Sequence, residues 1–290
     1  MSDLPQLDGV EHRYVNARGL RTHVAEAGDG PPLVLLHGWP QHWWCWRRVL
    51  PRLAERHRVI APDLRGQGWT DAPARGYEKE ALASDVLALL DVLGLERVRL
   101  IGHDWGGWVG FLLCLRAPQR FERYVALNTA HPWPSGDVRN LLSLWRFAYQ
   151  LVIAAPAAGP WLIRTQAECL VERTLRGGSV RPEAFSDEDI GIFADRLRDP
   201  ARAEASALLY RTFMLHEQAP VARGRYRSQR LRTPTRMLFG TRDPVLTPRM
   251  LQGYGRYADD MSVELVDDAG HFIAEDCPEL VAERAMAFFS

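Results

Sequence analysis

The segment Gly102-His103-Asp104-Trp105-Gly106-Gly107 lies directly between a predicted strand, Val98–Ile101, and a predicted helix, Trp105–Arg116. A chain that turns this tightly from strand to helix strains and exposes its central residue, and small residues on each side let the two elements approach closely. In the G-x-S-x-G version of this turn the centre is serine; here it is Asp104. A carboxylate, with an ordinary pKa of about 3.9, is ionised at pH 7 and needs no base to activate it. Its attack on an ester or amide would give a mixed anhydride, an uphill product. Attack on a saturated carbon gives an alkyl ester, a reasonable intermediate. The substrate should then carry an sp3 carbon with a leaving group, as strained epoxides and alkyl halides do. An aspartate here could also be a helix N-cap, but a cap does not need glycine at 102, 106 and 107.

Hydrolysing such an ester requires a general base and donors for the tetrahedral oxygen. His37-Gly38-Trp39-Pro40 follows the predicted buried strand Leu33–Leu36. This loop can present the Trp39 backbone N–H beside that of Trp105, as an oxyanion hole. Gly270-His271-Phe272 follows a predicted strand Ser262–Val266, and Asp243 follows a predicted strand Thr235–Phe239. The chain order nucleophile, acid, histidine matches a known catalytic triad order. In that set His271 activates water, while Asp243 fixes its tautomer and stabilises the imidazolium. No His-Glu-x-x-His or paired His/Cys spacing occurs, so no metal site is expected and the chemistry calls for no cofactor. His42, His103 and His131 flank these motifs and could line the pocket, but read better as structural or solvated residues. The Asp63-Leu64-Arg65-Gly66-Gln67-Gly68 loop reads as a structural turn.

The elements that must position these residues alternate. Val10–Ala17 and Leu20–Ala27 read as an opening antiparallel pair, Trp44–Glu55 as a helix, Arg58–Ala61 as a strand and Lys79–Leu93 as a helix capped by Gly94. Arg123–Leu127 is a further strand; a helix near Pro248–Tyr257 and a final helix Pro278–Phe289 complete the pattern. Strands alternating with helices imply an α/β fold, a mostly parallel sheet covered on both sides. From about His131 to Arg227 the pattern is helical, with Pro and Gly breaks. The expected organisation is a core domain of residues 1–130 and 228–290 and a helical cap of residues 131–227. Ligands of open α/β sheets bind beyond the carboxyl ends of the strands, so the cap would sit over the site as a lid.

Composition fits this picture. The chain has 290 residues, 47% of them hydrophobic, with a formal net charge of zero. That balance argues against a nucleic-acid or anionic-membrane partner. Lys79 is the only lysine, which reads as genome bias. Cys45, Cys114, Cys169 and Cys277 are widely spaced, so a reducing, cytoplasmic setting is expected. The most apolar stretch, Ala148–Ile163, is broken by Pro156, Gly159 and Pro160 and is too short to span a bilayer. The pattern leaves room for a homodimer.

Together these residues resemble the epoxide hydrolases of the α/β-hydrolase superfamily over essentially the whole chain. The resemblance rests on His37-Gly38-Trp39-Pro40, Pro62-Asp63-Leu64-Arg65-Gly66, the Asp104 turn, Asp243 and Gly270-His271-Phe272. Haloalkane dehalogenases share much of this set but usually carry Asn where this chain has Trp39; fluoroacetate dehalogenases usually carry Arg where it has Trp105. The resemblance further implies two lid tyrosines that hydrogen-bond the epoxide oxygen. Tyr210, in Leu209-Tyr210-Arg211-Thr212-Phe213, and Tyr149, in Phe147-Ala148-Tyr149-Gln150, match them. Read by spacing alone, both belong to ordinary helical stripes: Leu142, Trp145, Tyr149 and Val152, and Ala203, Ala207, Tyr210 and Met214. The implied reaction converts a small hydrophobic epoxide and water to a vicinal diol. The alternatives are a haloalkane dehalogenase with the same triad and a non-catalytic ligand-binding protein of this fold.

Overall fold

The short apolar runs of the sequence are strands. The structure, a computed structural model, describes residues 4–134 and 146–290. Its strands are β1 (Glu11–Ala17), β2 (Leu20–Ala27), β3 (Pro32–Leu36), β4 (Arg58–Pro62), β5 (Val98–His103), β6 (Phe121–Leu127), β7 (Thr235–Gly240) and β8 (Met261–Val266). They form one eight-stranded sheet in the order β1-β2-β4-β3-β5-β6-β7-β8. The β1–β2 and β2–β4 pairs are antiparallel, and every pairing from β4 to β8 is parallel. Almost every residue of β3, β4 and β5 is buried, as expected for central strands covered on both faces.

The helices α1 (Leu50–Ala54), α2 (Lys79–Val92) and α3 (Asp104–Arg116) alternate with these strands. Between β6 and β7 the described residues carry a helical insert: α4 (Ala148–Ala154), α5 (Ala158–Thr165), α6 (Ala167–Gly178), α7 (Asp187–Arg198), α8 (Pro200–Thr212) and α9 (Gln218–Ala222). A π-helical turn, Phe213–Glu217, joins the last two. The short α10 (Ile273–Asp276) and α11 (Pro278–Phe289) end the chain. Arg47 ties the insert to the rest by pairing with Asp189 on α7 at 2.8 Å and with Glu275 on α10 at 2.5 Å. Among the described residues no helix is long and apolar enough to cross a membrane.

Two expected helices are not single helices. Trp44–Glu55 splits into a 3-10 turn, Trp43–Trp46, and the short α1. Pro51 stands in the first turn of α1, where its missing N–H is tolerated; it could not donate within a helix running through from Trp44. The segment near Pro248–Tyr257 forms two 3-10 turns, Pro248–Leu251 and Tyr254–Arg256. Gly253 between them has a left-handed φ of +93°, which ends one turn and starts the other. Of the two tyrosine stripes, Leu142 and Trp145 lie outside the described residues. Val152 is 54% exposed, so that stripe does not pack as core at this position.

Candidate active site

β5 ends at His103 and α3 begins at Asp104 with no residue between them. Asp104 takes a φ of +50°, the strained conformation expected at the centre of such a turn. A Cβ on Gly106 would stand 2.2 Å from the Leu36 carbonyl oxygen, so only glycine lets α3 start this close to β3. A Cβ on Gly38 would stand 2.4 Å from the Asp104 carboxylate, so the loop after β3 can reach the turn only with glycine there. The Asp104 side chain does not cap α3. Its Oδ2 accepts from the Trp39 backbone N–H at 2.9 Å, and the nearby Trp105 N–H also favours the charged carboxylate. Both expected donors therefore converge on one group. The Thr129 hydroxyl donates to the Asp104 carbonyl oxygen at 2.8 Å and braces the turn from β6.

His37 and Pro40 support this loop and do not line the cavity. The His37 Nδ1 donates to the Gly38 carbonyl oxygen at 2.9 Å, and its Nε2 accepts from the Leu64 N–H at 3.0 Å. Asp63 accepts from His23 and from the Trp43 and Trp69 N–H groups, fixing the neighbouring loop as a structural turn. Although burial opposes it, the surrounding histidines hold the Asp63 carboxyl well below the usual range. His42, His103 and His131 are buried, and burial pushes each imidazole down, His42 and His103 to about 3. His103 Nε2 donates to the His271 carbonyl oxygen at 2.9 Å, so it packs against the site as a neutral ring.

His271 and Asp243 meet across the ends of β8 and β7. The His271 Nδ1 donates to Asp243 Oδ2 at 2.7 Å, and its Nε2 faces Asp104 Oδ1 at 3.9 Å. Asp243 also accepts from Asn128 Nδ2 at 3.0 Å and from the Val245 and Leu246 N–H groups at 2.7 and 2.9 Å. Burial alone would lower the His271 pKa, but the carboxylates of Asp243 and Asp104 outweigh it and push the imidazole up to about 9. Burial raises the Asp104 carboxyl, opposed by His271 and the two N–H donors. Burial also raises Asp243, but His271, Asn128 and the Leu246 N–H bring it below the ordinary value.

The tyrosines face the carboxylate from the helical insert. A cavity of about 390 Å³ is lined by Trp39, Asp104, Tyr149, Tyr210, His271 and mostly apolar side chains. The Tyr149 and Tyr210 rings meet edge-on with centroids 6.0 Å apart, and Tyr210 also contacts Trp39 and Trp105 edge-on. Burial raises both phenols, Tyr149 to about 12 and Tyr210 well above 10, and the nearby Asp104 charge adds to each. Both stay protonated at neutral pH and can donate.

A sequence profile described as alpha/beta hydrolase fold matches residues 31–278. The chain belongs to the α/β-hydrolase family. It is 30% identical over 292 residues to a soluble epoxide hydrolase of Corynebacterium sp. (strain C12), spanning 97% of this chain and 98% of that protein. It is also 30% identical over 289 residues to the AB hydrolase superfamily protein YfhM of Bacillus subtilis (strain 168), spanning 97% and 99%. The solved structure of the epoxide hydrolase CorEH without ligand superposes with a TM-score of 0.85 at 31% identity, covering 97% of this chain and 98% of that one. This α/β-hydrolase is thus a hydrolase related to epoxide hydrolases at about 30% identity.

Sequence reasoning missed several supports of the α/β-hydrolase site. Asn128, directly after the apolar run of β6, holds Asp243; a polar residue ending a buried strand was the available signal. Asp276 is fully buried and accepts from Gly270 N–H at 2.7 Å and from the Val180 and Arg181 N–H groups. The His271 N–H donates to the Gly178 carbonyl oxygen at 2.7 Å, so the end of α6 rests on the histidine loop. No sequence pattern announces these last two.

Proposed function

We propose that this enzyme opens epoxides with water through an alkyl ester on Asp104. The observation that carries the reading is the pairing of a carboxyl group held by the Trp39 N–H with two protonated phenols across one small, mostly apolar cavity. An Asp104 oxygen attacks a ring carbon, the ring C–O bond breaks, and Tyr149 and Tyr210 hydrogen-bond the alkoxide and supply its proton. The ester removes the Asp104 charge, one of the causes holding the His271 pKa up. The imidazole pKa then falls, so its neutral form, the one able to take a proton, becomes available after the first step rather than before it. His271 takes a proton from water, hydroxide adds to the ester carbonyl carbon, and the oxyanion takes the place held by Oδ2 between the Trp39 and Trp105 N–H groups. The ester C–O bond then breaks, the imidazolium proton goes to the departing alkoxide, and the proton left on the Asp104 carboxyl restores the tyrosine that gave one up, so that a vicinal diol is released and the site is reset. The site residues need no cofactor for this sequence.

A second reading, displacement of halide from an alkyl halide, draws on one observation. The Trp39 indole N–H is buried with no hydrogen-bond partner, and the Trp105 indole leans toward the Tyr210 oxygen without completing a full hydrogen bond. Indole N–H groups suit a halide, which needs no proton to leave.

The test is a single turnover of an aryl epoxide in heavy-oxygen water, followed by peptide mass analysis. The label should enter the Asp104 peptide and be missing from the first diol released. Label found directly in that diol would overturn the covalent mechanism.

A further inference from the structure

The only lysine of the chain is buried in the wall between α3 and the helical insert. Lys79 opens α2, and its side chain is completely buried. Its Nζ donates to the Leu209 carbonyl oxygen at 2.6 Å, to the Tyr77 carbonyl oxygen at 3.2 Å and to Glu217 Oε2 at 3.2 Å. Glu217 also accepts from the Lys79 backbone N–H through Oε1 at 2.9 Å, so one carboxylate clasps both ends of the residue. The ammonium stands 4.6 Å from the centroid of the Trp105 ring and 5.3 Å from that of Phe213.

Each contact leads to a group already placed in the site. Leu209 immediately precedes Tyr210. Glu217 ends the π-helical turn that begins at Phe213, where the Phe213 N–H pairs with the Tyr210 carbonyl oxygen. Such turns break the regular register of a helix and are frequent beside functional sites. Trp105, whose N–H favours the charged Asp104 carboxylate, packs its ring against both Tyr210 at 5.5 Å and Phe213 at 5.0 Å. One cation thus touches the backbone that carries the phenol and the ring that follows the nucleophile.

We propose that Lys79, with Glu217, is a positioning residue that sets the distance between Tyr210 and the Asp104 turn. A buried ion pair is weak support for stability, because desolvation consumes most of its attraction. Burial pulls the Lys79 pKa down to about 8 against the pull of Glu217, which marks that cost. What the pair provides is direction: a fixed spacing between a helix of the insert and a helix of the sheet layer, next to the atoms that must meet an epoxide.

This inference rests on the reading of Tyr210 as a proton donor, and the experiment separates the two. The double variant K79M/E217M replaces the pair with apolar side chains of similar length, an exchange that buried pairs often tolerate. Ring opening and ester hydrolysis are followed by stopped flow in that variant, in Y210F and in the triple combination. The opening rate constant should fall on the order of tenfold, part of the hundredfold that an ångström of misplacement can cost. Ester hydrolysis should fall by less than opening does, because His271 and Asp243 are not touched by the pair and the oxyanion donors are reached only through the Trp105 ring. In the Y210F background the double change should add nothing to the opening defect. If Y210F itself opens epoxide at the wild-type rate, the reading of Tyr210 fails. If Y210F is slow while K79M/E217M opens at the wild-type rate, or if the two defects multiply, the positioning role fails. Should the double variant not fold, E217Q reads the same quantity. It keeps the volume and the bond to the Lys79 N–H but removes the charge, and wild-type opening in it overturns the proposal.

Discussion

The triad side of the cavity is held by hydrogen bonds to backbone, and the tyrosine side is held by packed rings. Asp104 receives the Trp39 N–H with that of Trp105 nearby, Asp243 receives those of Val245 and Leu246, and the His271 loop is tied through Gly178 and Asp276. Tyr210 instead lies among Trp39, Trp105 and Tyr149 at edge-on angles of 75 to 90°. Directional bonds fix an atom within a narrow range, whereas ring contacts fix a volume and leave the hydroxyl to its neighbours. In the proposed reaction the chemistry divides the same way. The triad side must make and break covalent bonds at set angles, and the tyrosine side must meet substrates of varying shape with a proton. Losing a triad group should therefore stop a step, while losing a phenol should slow one.

His271→Gln should give the largest effect. Asp104 would still attack, because its carboxylate keeps the Trp39 N–H donor even though His271 no longer opposes the effect of burial, but no group would activate water for the second step. The ester should accumulate, and hydrolysis should slow by at least about a thousandfold, in the range of general-base contributions combined with lost orientation. Intact-protein mass after mixing with epoxide should show an adduct of substrate mass. A folded, substrate-binding variant that forms no adduct would show that His271 acts in the first step as well.

The tyrosine side should respond less steeply. Each of Tyr149→Phe and Tyr210→Phe should slow ring opening by on the order of a hundredfold, the scale of one general-acid contribution. The double change should nearly abolish it. Alkyl halides sharpen the comparison, since halide release needs no proton. If the double Phe variant still opens epoxide at the wild-type rate, the tyrosines are not the donors. If it turns over haloalkane undiminished while Trp105→Phe does not, the halide reading gains.

The same contrast explains what was legible in the sequence. Asp104, Asp243, His271 and the Trp39 loop each follow a short apolar strand within a few residues. Strand ends and tight glycine turns are local signals, and the structure brings those four groups together. The parallel sheet was legible for the same reason. The tyrosines became visible only through resemblance, because their helical stripes look like core: Ala203, Ala207 and Tyr210 are indeed buried on one side of α8. In the sequence Lys79 shows only as a trait of composition. Its meaning depends on Glu217, 138 residues away, and no local pattern connects the two. The two broken helices failed for a smaller reason, since Pro51 and Gly253 outweigh the hydrophobic period around them.

The smallest effect should come from Asn128→Ala, which loosens the triad side without removing a reacting group. Asn128 Nδ2 donates to the same Asp243 oxygen that accepts from His271, while its Oδ1 accepts from the Gly240 N–H at 2.9 Å and ties β6 to β7. Asp243 keeps its histidine and two N–H donors in the variant, so the carboxylate loses one hydrogen bond to a charged group, about 2 kcal/mol of support at most; the Gly240 N–H loses its side-chain acceptor as well, a cost that does not vary with pH. Ester hydrolysis should slow by about tenfold if some 1.4 kcal/mol of that reaches the transition state, and ring opening should be unchanged in the same stopped-flow traces. The acid limb of stability should move too. The native Asp243 carboxyl lies below its unfolded value, so its contribution is present above that value and is lost as pH falls through the native one. Without the Asn128 donor the native pKa rises toward the ordinary range, the contribution shrinks, and acid unfolding should begin at a higher pH. Thermal midpoints measured from neutral pH down toward pH 3 (an ordinary aspartate titrates at about 3.9) should show the variant's deficit in full at neutral pH and narrowing as pH falls, because both proteins lose the Asp243 contribution there. An unchanged acid limb together with unchanged ester hydrolysis would mean that the two N–H donors alone hold Asp243, and that the triad side is even more firmly tied to backbone than its hydrogen bonds suggest.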